Sequence, residues 1–210
     1  MPSLLLLLSI IAGAPPAVEG ALPCRGRDAA GAVRKIARAD QRDRKNWNAE
    51  GMADRDRARL AAIRELLEAG QICKPKTAFA AGIVLQHSSK RADFALAHRL
   101  FGWAANRGVR YAGAWSGRAW DRYLVSGGAL QWYGSQVQGQ HAEDGSFLFQ
   151  CLVDVDPAAT DAEREGLGLP ELEARIATVY AANGVEPPKE LTLARLRDDG
   201  FVCDPFPWGE

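Results

Sequence analysis

From Ala78 to Leu85 the chain carries no charged side chain, and Ala78, Phe79, Ala81, Ile83, Val84 and Leu85 fall on every side of a helix. A helix with no polar face is stable only inside a bundle, covered by other elements. Lys74-Pro75 gives it a start, because proline is tolerated in a first helical turn. The rest of the chain therefore has to supply helices that cover it.

The flanking segments do so. In residues 27–46, Ala29, Val33, Ile36 and Ala37 recur at helical spacing, while Arg34, Lys35, Arg38, Arg42 and Arg44 fill the other faces. Residues 52–69 repeat the pattern with Leu60, Ile63, Leu66 and Leu67, and Gly70 is a good stop. Residues 91–106, closed by Gly108, and 115–125, closed by Gly127-Gly128, make two more helices. The pattern then shortens. Gln131 to Val137 and Phe147 to Val153 are short aromatic or β-branched runs around Asp144-Gly145, which predicts a hairpin. A polar stretch to Gly168 follows, then a helix over 170–182. Pro187-Pro188 opens a short last helix, and the tail from Asp204 to Trp208 is extended. The fold expected is mainly α: an orthogonal-type multi-helix bundle with a small β-hairpin near residues 131–153, in one domain from residue 21 to 210.

Residues 1–20 have the layout of a secretory signal peptide. Leu4 to Ala12 is an apolar run, Pro15-Pro16 breaks it, and Val18-Glu19-Gly20 offers a cleavage point after Gly20, although Met1-Pro2-Ser3 lacks the usual basic residue. The run is shorter than the roughly 20 apolar residues that span a bilayer, so no membrane span is expected in the mature chain. The four cysteines, Cys24, Cys73, Cys151 and Cys203, all follow that point. Their wide, even-numbered spacing in an exported chain predicts two disulfides rather than a zinc or redox motif. Three pairings satisfy four cysteines. Cys24–Cys73 with Cys151–Cys203 is favoured, because each pair brackets one end of the chain. Ala21-Leu22-Pro23 lacks the small residue that precedes a lipid-anchored cysteine. Together these features predict a periplasmic or secreted protein.

The 26 basic and 26 acidic side chains balance, so the basic excess of a nucleic-acid binder is missing. No His-x-x-x-His or His-Glu-x-x-His spacing occurs, and neither a metal nor a cofactor is expected. Candidate chemistry lies in four clusters. Asp40-Gln41 with Arg42, Asp43 and Arg44, followed by Asp54, Arg55, Asp56 and Arg57, alternates sign at helical spacing, and its plainest reading is a solvated face of local ion pairs. Gln86-His87-Ser88-Ser89 ends the apolar helix, and its imidazole suits proton transfer near neutral pH or a helix cap. Asp121-Arg122, between Trp120 and Tyr123, puts charge on a partly buried surface, where it must be paired. Gln131, Tyr133, Gly134, Ser135 and Gln136 supply neutral donors and acceptors around a tight turn. Ser135 lacks the Gly-x-Ser-x-Gly setting of a nucleophile.

In this order the motifs resemble a bacterial family, domain of unknown function 6624. Its members show Asp-Gln-x-x-Arg, Gln-His, Asp-Arg and Gln-x-Tyr-Gly-Thr-Gln. Asp156 and Arg164-Glu165-Gly166-Leu167 are similar to its closing segment, and the likeness covers about residues 39–174. Here Ser135 stands for the threonine, and Ala119-Trp120 precedes Asp121-Arg122. The leader and the four cysteines are peculiar to this branch. The resemblance implies a helical domain whose motif residues converge, and it implies no activity. Two functions follow. The first is a non-catalytic pocket for a small molecule or envelope component, bound by Asp40, Gln41, Arg44, Gln86, Arg122, Gln131, Tyr133, Ser135 and Gln136. The second is a metal-independent envelope hydrolase or transferase, with His87 moving the proton and Asp121 or Asp40 orienting it.

Overall fold

A computed structural model describes residues 13–18, 22–45 and 50–205. The predicted cleavage point after Gly20, most of the apolar leader, and Phe206 to Trp208 of the tail lie outside the described residues.

The fold is mainly helical with a small β element. In chain order the helices are α1 (Ala30–Lys45), α2 (Met52–Glu68), α3 (Pro75–Leu85), α4 (Arg91–Ala105) and α5 (Ala112–Val125). Strands β1 (Val137–His141) and β2 (Phe147–Val153) follow, then α6 (Asp161–Gly166), α7 (Leu172–Ala182), α8 (Leu193–Asp198) and β3 (Val202–Cys203). The apolar segment is α3, and it packs against α1, α2 and α4 as its composition requires. Val84, Leu85, Leu100 and Phe101 are fully or almost fully buried there with Val33 and Ile63. Each such side chain contributes roughly 1.5–3 kcal/mol. At Gly82 an added Cβ would lie 2.7 Å from the Phe101 ring, so glycine is what lets α3 and α4 approach.

The β element differs from expectation in its extent. β1 and β2 are antiparallel, with Val137 opposite Leu152, and Gly145 (φ 82°) makes the turn between them. Residues 131–136, read as part of the first strand, form a turn instead: Gln131 makes a single parallel bridge to Val155, and side chains take the backbone N–H groups of Trp132, Tyr133, Ser135 and Gln136. β3 adds to β2 in parallel through Leu152–Val202 and Val153–Cys203. A two-residue strand has no periodicity to read, and the sequence gives no sign of it. α6 also goes unforeseen in the polar stretch before Gly168. Its sequence signal is the capping box, in which the Thr160 side chain accepts from the Glu163 N–H and the Glu163 carboxylate accepts from Thr160.

The disulfides are Cys24–Cys73 and Cys151–Cys203, with Cα atoms 5.1 and 5.7 Å apart. The first uses the Cys24 sulfur, so that thiol is not free for a lipid. The second ties β2 to β3 beside a core of Leu152, Ile176, Tyr180 and Leu196. No helix among the described residues is long and apolar enough to cross a membrane. Gly13 to Val18 pack on the helices: the Trp120 indole N–H donates to the Gly13 carbonyl at 2.7 Å, and Asn106 donates to the Val18 carbonyl at 3.2 Å.

Candidate functional site

The charged cluster of α1 and α2 splits into two kinds of pair. Asp54–Arg57 is the exposed local pair the sequence suggests, with both side chains more than three-quarters in solvent. Three others cross between the helices. Asp43 accepts from Arg55 at 2.7 Å and from Arg59, and Arg44 reaches Asp56 at 2.8 Å. Hydrogen bonds from Arg55 and then Arg59 hold the Asp43 pKa down, from its ordinary 3.8 to about 2. A lowered carboxylate pKa stabilises the fold at pH values above the unfolded pKa, and that share is lost as pH falls through the folded one. Wild-type protein is therefore expected to lose melting temperature between about pH 4 and 2. Asp43→Asn should flatten that part of the profile in a melting series at pH 2–5.

Asp40 stands apart, fully buried on the same helix. Its carboxylate meets the His87 Nδ1 at 2.9 Å, accepts from Gln41 at 2.9 Å, and has Arg44 at 3.5 Å. His87 sits just past the end of α3 and lines a cleft of about 530 Å³ with Asp56, Arg57, Arg64 and Lys90. The carboxylate that meets the imidazole is thus Asp40. The adjoining Ser88 is buried and bonded to Asp93, which also holds Arg64.

Asp121 has a different position. It is fully buried, and its oxygens accept backbone N–H groups from Trp132 and Tyr133 at 2.8 Å and from Ser135 at 2.9 Å. Burial raises its pKa and these donors pull it back. Gln131, also fully buried, closes the same turn: its amide oxygen accepts from the Gln136 N–H at 2.7 Å, and its amide nitrogen donates to the Gln136 carbonyl at 3.0 Å. Gly134, at φ 73°, supplies the left-handed residue the turn needs. The buried Arg164 of α6 donates to the Tyr133 carbonyl at 3.1 Å. Asp121 and Gln131 therefore build the turn, and Tyr133, Ser135 and Gln136 are presented by it.

What they are presented to is a cavity of about 300 Å³ between α5, this turn and α7. Three guanidinium groups line it: Arg118 and Arg122 of α5 and Arg175 of α7. Arg122 donates to the Gln86 carbonyl at 2.5 Å and to the Gln136 amide oxygen at 3.1 Å. Arg175 donates to the carbonyls of Gly134 at 3.1 Å and Ser135 at 2.8 Å. None of the three has a carboxylate partner among the described residues. Desolvation, then the charges of Arg44 and Arg118, lower the Arg122 pKa, and desolvation followed by Arg118 lowers that of Arg175. Gln86, almost fully buried on the cavity wall, has a side-chain amide nitrogen without a hydrogen-bond partner. Asp121 opposes the lowering at Arg175. Part-buried cations held by neutral acceptors are groups that an anion would stabilise. No protein family, curated protein or solved structure matches this chain.

The motif residues thus form two neighbouring groups. Asp40, Gln41, Arg44 and His87 lie at the α1–α3 side; Asp121, Arg122, Gln131, Tyr133, Ser135 and Gln136 lie around the cavity. Gln86 joins them, because its carbonyl receives Arg122 while the next residue is His87. The sequence does not single out Arg118 or Arg175, and it marks Arg164 only within the family-like closing segment, with no role. Arg118 lies three residues after Trp115, with its guanidinium 5.2 Å from that ring, a helical spacing that was legible. Nothing in the sequence around Arg175 marks it. Among the described residues no three His, Cys, Asp or Glu side chains gather as metal ligands.

Proposed function

We propose that this chain is exported and serves in the bacterial envelope as a binding domain, holding a small anion in the cavity lined by Arg118, Arg122 and Arg175. One observation carries the reading: three guanidinium groups line one partly enclosed cavity, and none of them forms an ion pair with a carboxylate among the described residues. A phosphate or carboxylate would accept from Arg118 and Arg122. Charge-assisted bonds of this kind contribute about 1.5–3 kcal/mol each. The two disulfides and the apolar leader support export. Kinship with domain of unknown function 6624 is part of the same proposal and rests on the order of the motifs.

Calorimetric titration with inorganic phosphate and sulfate tests the binding. Arg118 is exposed and makes no ion pair among the described residues, so Arg118→Gln should keep the melting temperature while weakening the anion by about 10- to 100-fold. Equal affinity in both proteins removes the proposal. Native mass spectrometry of protein secreted from a bacterial host reads the export arm. A mass beginning at Ala21 is expected. That cut would also take Gly13 and Val18 off α4 and α5, so a chain retaining them gives a clearly different mass.

A second reading is favoured by the Asp40–His87 pair and the cleft beside it. There Asp40 fixes the ring through Nδ1, and His87 moves a proton for a hydrolase or transferase, with Arg57 and Lys90 near the substrate. On this reading His87→Ala abolishes turnover in a screen of nitrophenyl phosphates and esters, yet shifts the melting temperature by only a few degrees. A large fall in melting temperature with no turnover in the wild type makes His87 a structural partner of Asp40.

A further inference from the structure

Alongside the arginine cavity runs a wider groove between α1 and α3, of about 660 Å³, and the two share one wall, Trp115. The floor of the groove is Ala37, Phe79, Ala80, Ile83 and the Trp115 ring. Apart from Gln41 at its edge, that floor is made of side chains that offer an occupant no hydrogen bond through an amide, hydroxyl or carboxylate. Its rim is Arg34, Arg38, Arg42 and Lys45, spaced three to four residues apart along α1. None of these cations has a carboxylate partner among the described residues, although the chain as a whole is neutral. The acidic residues of α1, Asp40 and Asp43, are turned to other partners, His87 and α2.

We infer that the anion held by the arginine cavity carries a long apolar tail, which lies across Trp115 and along the α1–α3 groove. The inference rests on the binding reading above and names the ligand class: a single-chain amphiphile with a phosphate or carboxylate head. The apolar floor favours a body with no polar groups of its own, since a peptide backbone would find few partners there. The row of unpaired cations favours an anionic amphiphile over a neutral or cationic one. Arg118 stands at the junction, against the Trp115 ring and on the cavity wall, where head and tail would meet. The basic side chains at the rim would lay their methylene stems beside the tail and keep their charges in water.

Calorimetric titration compares inorganic phosphate, butyl, hexyl and octyl phosphate, octanoate and octanol, all below their micelle concentrations. Affinity is expected to rise about two- to fourfold per added methylene, the yield of burying alkyl surface. Octanol should bind far more weakly than octyl phosphate. Ala80→Glu, at a half-buried floor position, should remove the chain-length dependence and leave inorganic phosphate unchanged, which also shows that the variant folds. Octanoate in place of octyl phosphate, with the same response to Ala80→Glu, keeps the inference with a carboxylate head. Equal affinity for inorganic and octyl phosphate overturns the tail and leaves the anion cavity standing. So does octyl phosphate binding that Ala80→Glu does not touch. Failure of every anion to bind removes both readings.

Discussion

Asp121→Ala is expected to destabilise the fold by about 3–5 kcal/mol, more than any other single substitution of a site residue. The carboxylate satisfies three backbone N–H groups, those of Trp132, Tyr133 and Ser135. Each donor left buried without an acceptor costs about 1–3 kcal/mol. Entry of water and relief of the cost of burying a carboxylate offset part of that sum. In a domain of this size the loss corresponds to on the order of 10 °C in melting temperature. Asp121→Asn separates shape from charge. Its amide oxygen can still hold Trp132 and Tyr133, while its NH₂ faces the Ser135 N–H donor to donor, so an intermediate loss is expected. Anion affinity should fall in parallel, because the turn carries the Tyr133, Ser135 and Gln136 side of the cavity. Urea denaturation with a phosphate titration measures both. An Asp121→Ala protein that melts within a degree of the wild type would show that the turn holds itself.

Reducing the disulfides is the second large effect. They close loops with sequence separations of 49 and 52 residues, and a cross-link of that span contributes about 2–4 kcal/mol. The two ends should respond differently. Near Cys24, backbone bonds from Arg25 to Gly70 at 2.9 Å and from Ala29 to Gln71 at 2.8 Å hold the chain without the sulfur bridge. At Cys203 the strand is two residues long, with Leu152 and Asp154 donating to Phe201 and Cys203 at 2.9 Å. The pair Cys151→Ala and Cys203→Ala should therefore lose about 2–4 kcal/mol in urea denaturation. Amide exchange should quicken first around residues 200–205. The pair Cys24→Ala and Cys73→Ala should spread a comparable loss over the helical half. Equal exchange at both ends in the two variants would contradict this division.

Several elements were legible for local reasons. Five helices come from the spacing of apolar residues, and the two that end in Gly70 and Gly108 stop at left-handed glycines (φ 64° and 77°). The all-apolar stretch had to be central, and α3 is. The favoured cysteine pairs formed. The hairpin is present, with Gly145 in its turn, and α6 has a local signal too, the Thr160–Glu163 capping box.

The site was legible as residue types only. Asp121 and Arg122 stand out because such groups need partners when buried, and His87 because it ends an apolar helix, whereas Asp40 reads as part of a solvated face and is in fact fully buried. Which partner each takes is a long-range matter. His87 and Asp40 are 47 positions apart and meet because α3 packs on α1. Asp121 holds backbone groups eleven to fourteen residues downstream, and no side-chain pattern announces an acceptor for main-chain N–H groups. Local periodicity and chain entropy thus wrote the helices and the disulfides into the sequence. The packing of α5 and α7 on the 131–136 turn alone decided that Arg118, Arg122 and Arg175 would share a cavity with no ion-paired carboxylate among the described residues. Desolvation and charge repulsion belong to the surroundings a side chain acquires in space, and the order of residues along the chain does not contain them.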